Sequence, residues 1–231
     1  MRERIRGFER PAPRTAEPDG VSTGFAGLDR QLASGGLRTG TLTEWLAGEC
    51  GGGAATLALA IAGRLLASGG TFVVIDDSGD FYPVAAADVG VSLERTVIVR
   101  PDDRASALWA WEQSLRCPGV AVTFGRIGAV TDRVFRRLQL AAEAGGGHGF
   151  LVRPPGCRPG ASWAAARLCV TSVPTTEPAL ALARRFRVRV VRGQSGAREP
   201  VIDLELDRDA CPEPVVPELA RAVAARRATG G

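Results

Sequence analysis

The chain has 231 residues, of which 45% are hydrophobic and 23% are charged, and its formal net charge is +4. These values are typical of one globular α/β domain with a buried core. No apolar run reaches the roughly 20 residues that a membrane span requires. The charged N-terminus also lacks the apolar stretch of a signal peptide. We therefore expect a cytoplasmic protein that does not contact a membrane.

Two features of the composition limit the chemistry. The five cysteines are scattered without a CxxC pair and His148 is the single histidine, so the spacing of a zinc site is missing. All 29 basic residues are arginines. A chain without lysine cannot supply the side chain with which a P-loop contacts the β- and γ-phosphates. We expect neither a metal nor a cofactor.

The chain divides into three regions by composition. Residues 1–20 are rich in arginine, proline and glutamate without periodicity, which predicts a flexible leader. Residues 21–207 have the alternating apolar segments of a folded domain. Residues 208–231 combine prolines with a basic end, and we expect a flexible basic tail there, in which 218–227 form either a short basic helix or a frayed end.

Short apolar runs alternate with helical patterns through most of the folded region. We expect strands at 41–46, 71–75, 97–99, 119–123 and 149–152. Helices are expected at 54–67, 105–115 and 131–144. Strands that alternate with helices favour a mostly parallel sheet with helices on both faces.

Two of these helices allow finer predictions. In the helix at 131–144, Thr131 is the expected N-cap and Gly145 the expected C-cap. Its apolar face comprises Val134, Phe135, Leu138, Ala141 and Ala142. The helix at 105–115 carries Trp109 and Trp111, and residues two apart on a helix cannot both face the core. We therefore expect one exposed tryptophan.

The last part of the folded region has a different pattern of polar and apolar residues. Residues 187–190 and 202–206 alternate polar and apolar side chains, and the turn sequence at 193–196 (GQSG) lies between them. This pattern predicts a C-terminal antiparallel hairpin with one face in water. One strand carries arginines and the other carboxylates, so we expect cross-strand charge pairs.

A glycine-rich turn is the place where chemistry would be expected. A predicted strand, Gly48-x-x-x-x-Gly53 and a predicted helix follow one another in the order of a P-loop, whose backbone N–H groups bind phosphate. Gly51 and Gly52 add to the turn, but Ala54 and Ala55 stand where lysine and a metal-binding Ser or Thr are required. The lost lysine contact alone is worth about 1.5–3 kcal/mol. We expect no tight binding of a nucleoside triphosphate.

Sequence around this turn resembles the RecA ATPase core. The resemblance is carried by Val21-Ser22-Thr23-Gly24, Leu28-Asp29 and Gly35-Gly36-Leu37-x-x-Gly40 ahead of the turn, and by the segment 74–83 after it. It implies a RecA-like P-loop NTPase core in which the catalytic glutamate falls on Ser78 and the Walker B aspartate falls at or beside Phe124. With Ala54 and Ala55, four active-site groups are absent. The resemblance therefore implies a pseudo-ATPase and not an enzyme.

A second stretch resembles a narrower family. Residues 136–145 (RRLQLAAEAG), followed by 149–154 (GFLVRP), are similar to the signature of the ImuA family of inactive RecA-like proteins. That resemblance implies an adaptor in the mutasome, which carries out error-prone translesion DNA synthesis after damage as part of the SOS response. The implied partners are an ImuB-like subunit related to Y-family polymerases, an error-prone C-family DNA polymerase and RecA.

Two alternatives remain open at the level of sequence. One is a cell-division inhibitor of the SulA kind, which is distantly related to ImuA. The other is a RecA-like DNA-binding protein with residual nucleotide binding. The candidates for contact with a protein partner or with DNA, the latter weak or indirect, are Arg133, Arg136, Arg137, Arg187, Arg189, Arg192 and Trp109.

Overall fold

The computed structural model describes residues 20–48, 52–154, 162–174, 184–192 and 200–206. The strands are β1 (Gly20–Val21), β2 (Leu37–Arg38), β3 (Thr41–Ala47), β4 (Thr71–Ile75), β5 (Thr96–Val99), β6 (Val120–Arg126), β7 (His148–Arg153), β8 (Ala166–Val173), β9 (Arg184–Arg192) and β10 (Val201–Leu206). The α-helices are α1 (Ala26–Asp29), α2 (Ala54–Leu65), α3 (Pro83–Ala87), α4 (Arg104–Arg116) and α5 (Asp132–Gly145).

One large sheet organises the fold. Its strand order is β10-β9-β8-β3-β7-β6-β4-β5, and β1 and β2 form a separate two-stranded ribbon. The strands from β8 to β5 are all parallel, whereas β9 and β10 run antiparallel at one end. This confirms the predicted α/β architecture with a mostly parallel sheet and a C-terminal antiparallel hairpin.

The sheet separates two apolar layers. On one side α2 packs over Trp45 and Phe150, whose rings meet edge to face with centroids 5.2 Å apart. On the other side α4 and α5 pack over Leu42 and Leu151. Alternate residues of the buried parallel strands therefore serve opposite layers, as the period of a strand requires. No helix in the described ranges is long and apolar enough to cross a membrane.

Most predicted elements are present, but the short elements β1, β2, α1 and α3 were not predicted, and other predictions differ in detail. The fourth predicted strand extends to Arg126. Gly146, and not Gly145, caps the C-terminus of α5, because it is Gly146 that takes the left-handed conformation at φ 79°. Strand β8 was not predicted at all. The N-cap of α5 is confirmed, since the side chain of Thr131 accepts a hydrogen bond from the backbone N–H of Val134.

The two tryptophans of α4 behave as their spacing predicts. Trp111 is 1% exposed and packs in the layer beneath α4 and α5, whereas Trp109 is 64% exposed.

The apolar face of α5 is also confirmed, but it includes one polar residue that the pattern did not indicate. Gln139 is buried and binds the backbone around the start of β3 by accepting from the N–H of Leu42 and donating to the carbonyl of Gly40.

The N-terminal motif has a structural explanation. The carboxylate of Asp29 accepts hydrogen bonds from the hydroxyl of Ser22 at 2.6 Å and from the backbone N–H and hydroxyl of Thr23 at 2.9 and 2.7 Å. These contacts tie the chain after β1 to the end of α1. The motif therefore fixes the entry to the sheet and does not belong to the site described below.

The stability of the fold is expected to decrease as the pH falls from about 6.5 towards 4. Burial lowers the pKa of His148 from 6.5 to about 4. Between these pH values the unfolded chain binds a proton that the folded protein excludes, so the free energy of unfolding falls by up to about 3 kcal/mol. Urea unfolding at pH 7, 6 and 5 measures this loss.

The control for this experiment is simple because the chain has one histidine. A His148→Leu variant should retain the pH dependence that its carboxylates cause and lose the part due to the imidazole. Parallel curves for the two proteins over this pH range would contradict the assignment.

Candidate functional site

The glycine-rich turn leads into α2 at the carboxyl end of β3. Gly53 is the N-cap of α2 and adopts a left-handed conformation at φ 78°. A Cβ atom at this position would overlap the ring of Phe186 on β9 and lie 2.9 Å from the hydroxyl oxygen of Ser172 on β8. Only glycine fits here, and β8 and β9 pack closely against the turn. Residues 49–51 lie outside the described residues.

An open pocket of about 130 Å³ lies beside the first turns of α2, at the carboxyl ends of β4 and β6. The apolar side chains of Ala55, Leu59 and Phe124 form part of its wall, together with Phe81. Ser78 also lines it. The structure therefore brings together three positions that the sequence assigned to separate active-site roles: Ala55, Ser78 and Phe124.

The carboxylates of this pocket are already paired. Asp76 has a buried side chain that accepts from the backbone N–H of Phe81 and from Nε of Arg100, both at 3.2 Å. Asp80 accepts from the hydroxyl of Ser78 at 2.9 Å and forms an ion pair with Arg126. These contacts hold the segment after β4 in place against the end of β6.

A buried charge cluster lies on the α5 side of the sheet. Glu44 in β3 is 1% exposed, and its carboxylate accepts from Arg153 of β7 at 2.6 and 2.7 Å and from Arg167 of β8 at 2.7 Å. The hydroxyl of Ser162 donates to the same carboxylate at 2.7 Å. Burial by itself would raise the pKa of Glu44, but the hydrogen bond from Ser162 and the charge of Arg153 outweigh it, so the pKa lies below its usual value.

This cluster also positions a loop. Nη1 of Arg153 donates to the carbonyl oxygens of Ile127 and Gly128, at 3.2 and 2.6 Å. These two residues begin the connection from β6 to α5. The sequence analysis missed the cluster, although a glutamate inside an apolar strand, with arginines in two other strands, was a signal of buried charge pairing.

The arginines of α5 lie together on its outer surface. Arg137 forms an ion pair with Glu112 of α4, and the guanidinium of Arg136 lies 5.1 Å from the ring centroid of Trp163. Arg136 also approaches Glu143 at 4.0 Å. Arg133 is exposed, and no ion pair joins it to the parts of the chain that the structure describes.

The candidates on β9 have different surroundings. Arg187 pairs with Asp203 of β10 at 2.8 Å, and the pair of Arg185 with Glu205 at 3.3 Å repeats the pattern. This confirms the predicted cross-strand charge pairs. Arg189 contacts the sulfur of Cys169 at 3.8 Å, and Arg192 is the last residue of β9. Trp109 lies on α4, so the contact candidates are distributed over three elements.

Comparison with known proteins identifies the architecture. The model of the RecA N-terminal domain matches residues 12–134, slightly more than half of the chain. The chain belongs to the RecA family. Among similar proteins, RecA of Deinococcus radiodurans is 36% identical over 114 residues, which are 49% of this chain and 31% of that protein. RecA of Rhodospirillum centenum is 34% identical over 137 residues, 58% of this chain and 36% of that protein.

A third relative matches with a similar identity and coverage. RecA of Caulobacter vibrioides is 32% identical over 118 residues, 51% of this chain and 33% of its own length. The chain thus spans about a third of the length of the curated relatives it matches. The RecA-like region matched by the family model includes the glycine-rich turn, the residues that line the pocket and the first turn of α5.

Proposed function

We propose that this RecA-like chain is a non-catalytic accessory protein of error-prone translesion DNA synthesis, acting as an adaptor in the mutasome. The observation that carries the proposal is the composition of the pocket at which Ala55, Ser78 and Phe124 meet. These residues stand where a RecA-like ATPase needs a metal-binding hydroxyl, a catalytic glutamate and a Walker B aspartate. The proposed role depends on the RecA-like fold and does not require ATP hydrolysis.

Phosphoryl transfer depends on positioning and on compensation of charge around the phosphates. Ala54 and Ala55 begin α2 without a lysine or a hydroxyl, and Ala54 is buried. The two carboxylates in the pocket wall, Asp76 and Asp80, are each bound to an arginine. These arrangements support the absence of ATP hydrolysis, because the two carboxylates that line the described part of the pocket already pair with arginines.

We propose that the chain acts through contacts with other proteins. The stretch that resembles the ImuA signature, residues 136–145, lies on α5. Its outer surface presents Arg136 next to the half-exposed Trp163, and Arg and Trp are enriched at the centres of protein interfaces. We propose this surface of α5 as the contact of the adaptor with an ImuB-like subunit.

The proposal is tested by measuring the affinity of the chain for an ImuB-like subunit with and without ATP–Mg²⁺. We expect a complex at micromolar concentration or tighter, with an affinity that ATP–Mg²⁺ does not change. An Arg136→Glu variant should weaken the complex about tenfold, which corresponds to about 1.4 kcal/mol. A Glu94→Arg variant, which changes an exposed side chain far from α5 in the chain, is the matched control.

Other outcomes favour the alternatives. Micromolar binding of ATP–Mg²⁺ to the chain alone would support a RecA-like protein with residual nucleotide binding. Binding to the tubulin-like division protein, without a complex with the ImuB-like subunit, would support a division inhibitor of the SulA kind. Absence of any complex at micromolar concentration would contradict the adaptor role.

A further inference from the structure

The pocket at the carboxyl ends of β4 and β6 has an aromatic wall. The ring of Phe124 lies 6.3 Å from the ring of Phe81 and 5.9 Å from that of Phe72, measured between centroids, and both pairs are tilted. Phe81 and Phe124 line the pocket, together with Tyr82, which is 64% exposed. Aromatic rings favour tilted and edge-to-face contacts with one another. A further ring in the pocket would therefore extend this cluster.

The size of the pocket limits what it can hold. Its volume is about 130 Å³, and an apolar protein cavity of about 150 Å³ holds benzene. The small side chains of Ala55 and Ala85 border the pocket and leave this space open. One six-membered ring therefore matches the pocket better than the fused rings of an indole or a purine.

The charged groups that line the described part of the pocket cancel. Asp76 pairs with Arg100 and Asp80 pairs with Arg126, so each of the two carboxylates in the wall is neutralised by a guanidinium. A charged ring would lose part of its hydration on entering and would gain no opposite unpaired charge in return. The pocket therefore favours an uncharged occupant.

One polar group distinguishes between uncharged rings. The carboxylate of Asp80 accepts from the hydroxyl of Ser78 on one oxygen and from Arg126 on the other. Its side chain is 46% exposed, and a carboxylate has about four acceptor positions, so each oxygen can accept a further hydrogen bond. A phenol supplies the O–H group for such a bond, and a phenyl ring does not. A single ring without charge and with one donor describes the side chain of tyrosine.

We propose that this pocket binds a tyrosine side chain of a partner protein, with the ring against Phe81 and Phe124 and the hydroxyl donating to Asp80. A polypeptide fits better than a free phenol because apolar surface continues outside the pocket, where Val84 of α3 is 49% exposed. Residues next to the bound tyrosine can cover this surface.

The inference goes beyond the proposed adaptor contact. The pocket lies on the α2 side of the sheet, whereas α5 packs on the other side. The two contacts are therefore separate, and failure of either one leaves the other standing.

Nuclear magnetic resonance of the full chain tests the contact at single residues. Tyr82 is the one tyrosine of the chain and His148 the one histidine. Labelling these two residue types with ¹⁵N therefore gives one amide signal at the pocket and one control signal at the start of β7. The probe is N-acetyltyrosinamide. We expect it to shift the signal of Tyr82, with a dissociation constant on the order of 1 mM, and to leave that of His148 unchanged.

Three kinds of probe test the chemistry of the occupant. N-acetylphenylalaninamide, which lacks the hydroxyl, should bind about fivefold more weakly, and N-acetylleucinamide should shift neither signal at the same concentration. The peptide acetyl-Leu-Tyr-Leu-amide should bind about tenfold more tightly than p-cresol, because only the peptide covers the surface around Val84. Equal affinities of the tyrosine and leucine derivatives would overturn the proposal. Equal affinities of p-cresol and the peptide would overturn the assignment to a partner protein.

A matched pair of variants on α3 locates the site. Ala85→Leu places a larger side chain in the pocket and should weaken the binding of N-acetyltyrosinamide at least fivefold. Ala87, which is also half-buried, lies outside the pocket wall, so Ala87→Leu should leave the affinity unchanged. The signal of His148 reports whether each variant keeps the parent fold. Unchanged binding in Ala85→Leu would contradict the site.

A third variant tests the hydrogen bond. In Asp80→Ala the preference for the tyrosine derivative over the phenylalanine derivative should disappear, because the acceptor is removed while the aromatic wall remains. A fivefold preference that persists in this variant would show that the hydroxyl is not bound by Asp80, and the proposed contact would be wrong.

Discussion

Replacing Glu44 with alanine is expected to lower the free energy of unfolding by about 3–5 kcal/mol. The substitution leaves Arg153 and Arg167 buried without their shared carboxylate. A buried guanidinium that loses this carboxylate keeps its desolvation penalty, so removing Glu44 costs more than the ion pairs themselves contribute. Urea unfolding followed by circular dichroism measures the change, which is a substantial part of the roughly 5–15 kcal/mol by which folded proteins are typically stable.

An exposed carboxylate is the control for this effect. Asp203 also pairs with an arginine, but its side chain is 64% exposed, and exposed pairs contribute little to stability. Asp203→Ala should therefore be close to the parent protein. A Glu44→Ala variant that is no less stable than Asp203→Ala would show that the cluster is not buried as described.

The second large effect is expected on α4. Trp111→Ala removes a fully buried indole from the layer between the sheet and the helices, and a large-to-small substitution of this kind costs about 3–5 kcal/mol. Trp109→Ala, two residues earlier, removes a side chain that is 64% exposed and should change stability by no more than about 0.5 kcal/mol. Thermal and urea unfolding of both variants test the difference.

This pair of variants is informative because both lose the same atoms from the same helix. Helix propensity changes equally in both, so it cancels in the comparison. Similar losses of stability in the two variants would contradict the orientation of α4, whereas the expected difference supports it. Trp109→Ala also serves as a folded variant in which to measure any contribution of Trp109 to binding a partner.

The parts of the fold that the sequence predicted are those with an unambiguous hydrophobic period. The run at 71–75 is apolar throughout because β4 is covered on both faces, and α5 has one continuous apolar face. Strand β8 was missed because Arg167, which lies between the buried residues Ala166 and Leu168, interrupts the apolar run by which a buried strand is recognised. Arg167 can be buried because it pairs with Glu44 of β3, and the sequence around Arg167 cannot reveal that contact.

The candidate site was predicted in outline from positions in the chain. The glycine-rich turn and the resemblance to the RecA core assigned Ala55, Ser78 and the neighbourhood of Phe124 to active-site positions, and all three residues line one pocket. The pairing of Asp80 with Arg126 could not be predicted, because it joins residues 46 positions apart whose proximity depends on the neighbouring positions of β4 and β6. The contact of Phe186 with Gly53 likewise depends on the placement of β9.

The charge pairs between β9 and β10 bear on how the sheet ends. A terminal strand offers unpaired backbone groups to any other extended chain, and charged side chains on that strand discourage such addition. Asp203 and Glu205 lie on β10, opposite Arg187 and Arg185. A shift of one residue in the register would turn these carboxylates toward the apolar layer beneath Leu204 and Leu206. The same four side chains therefore hold the hairpin in register and protect this end of the sheet from aggregation.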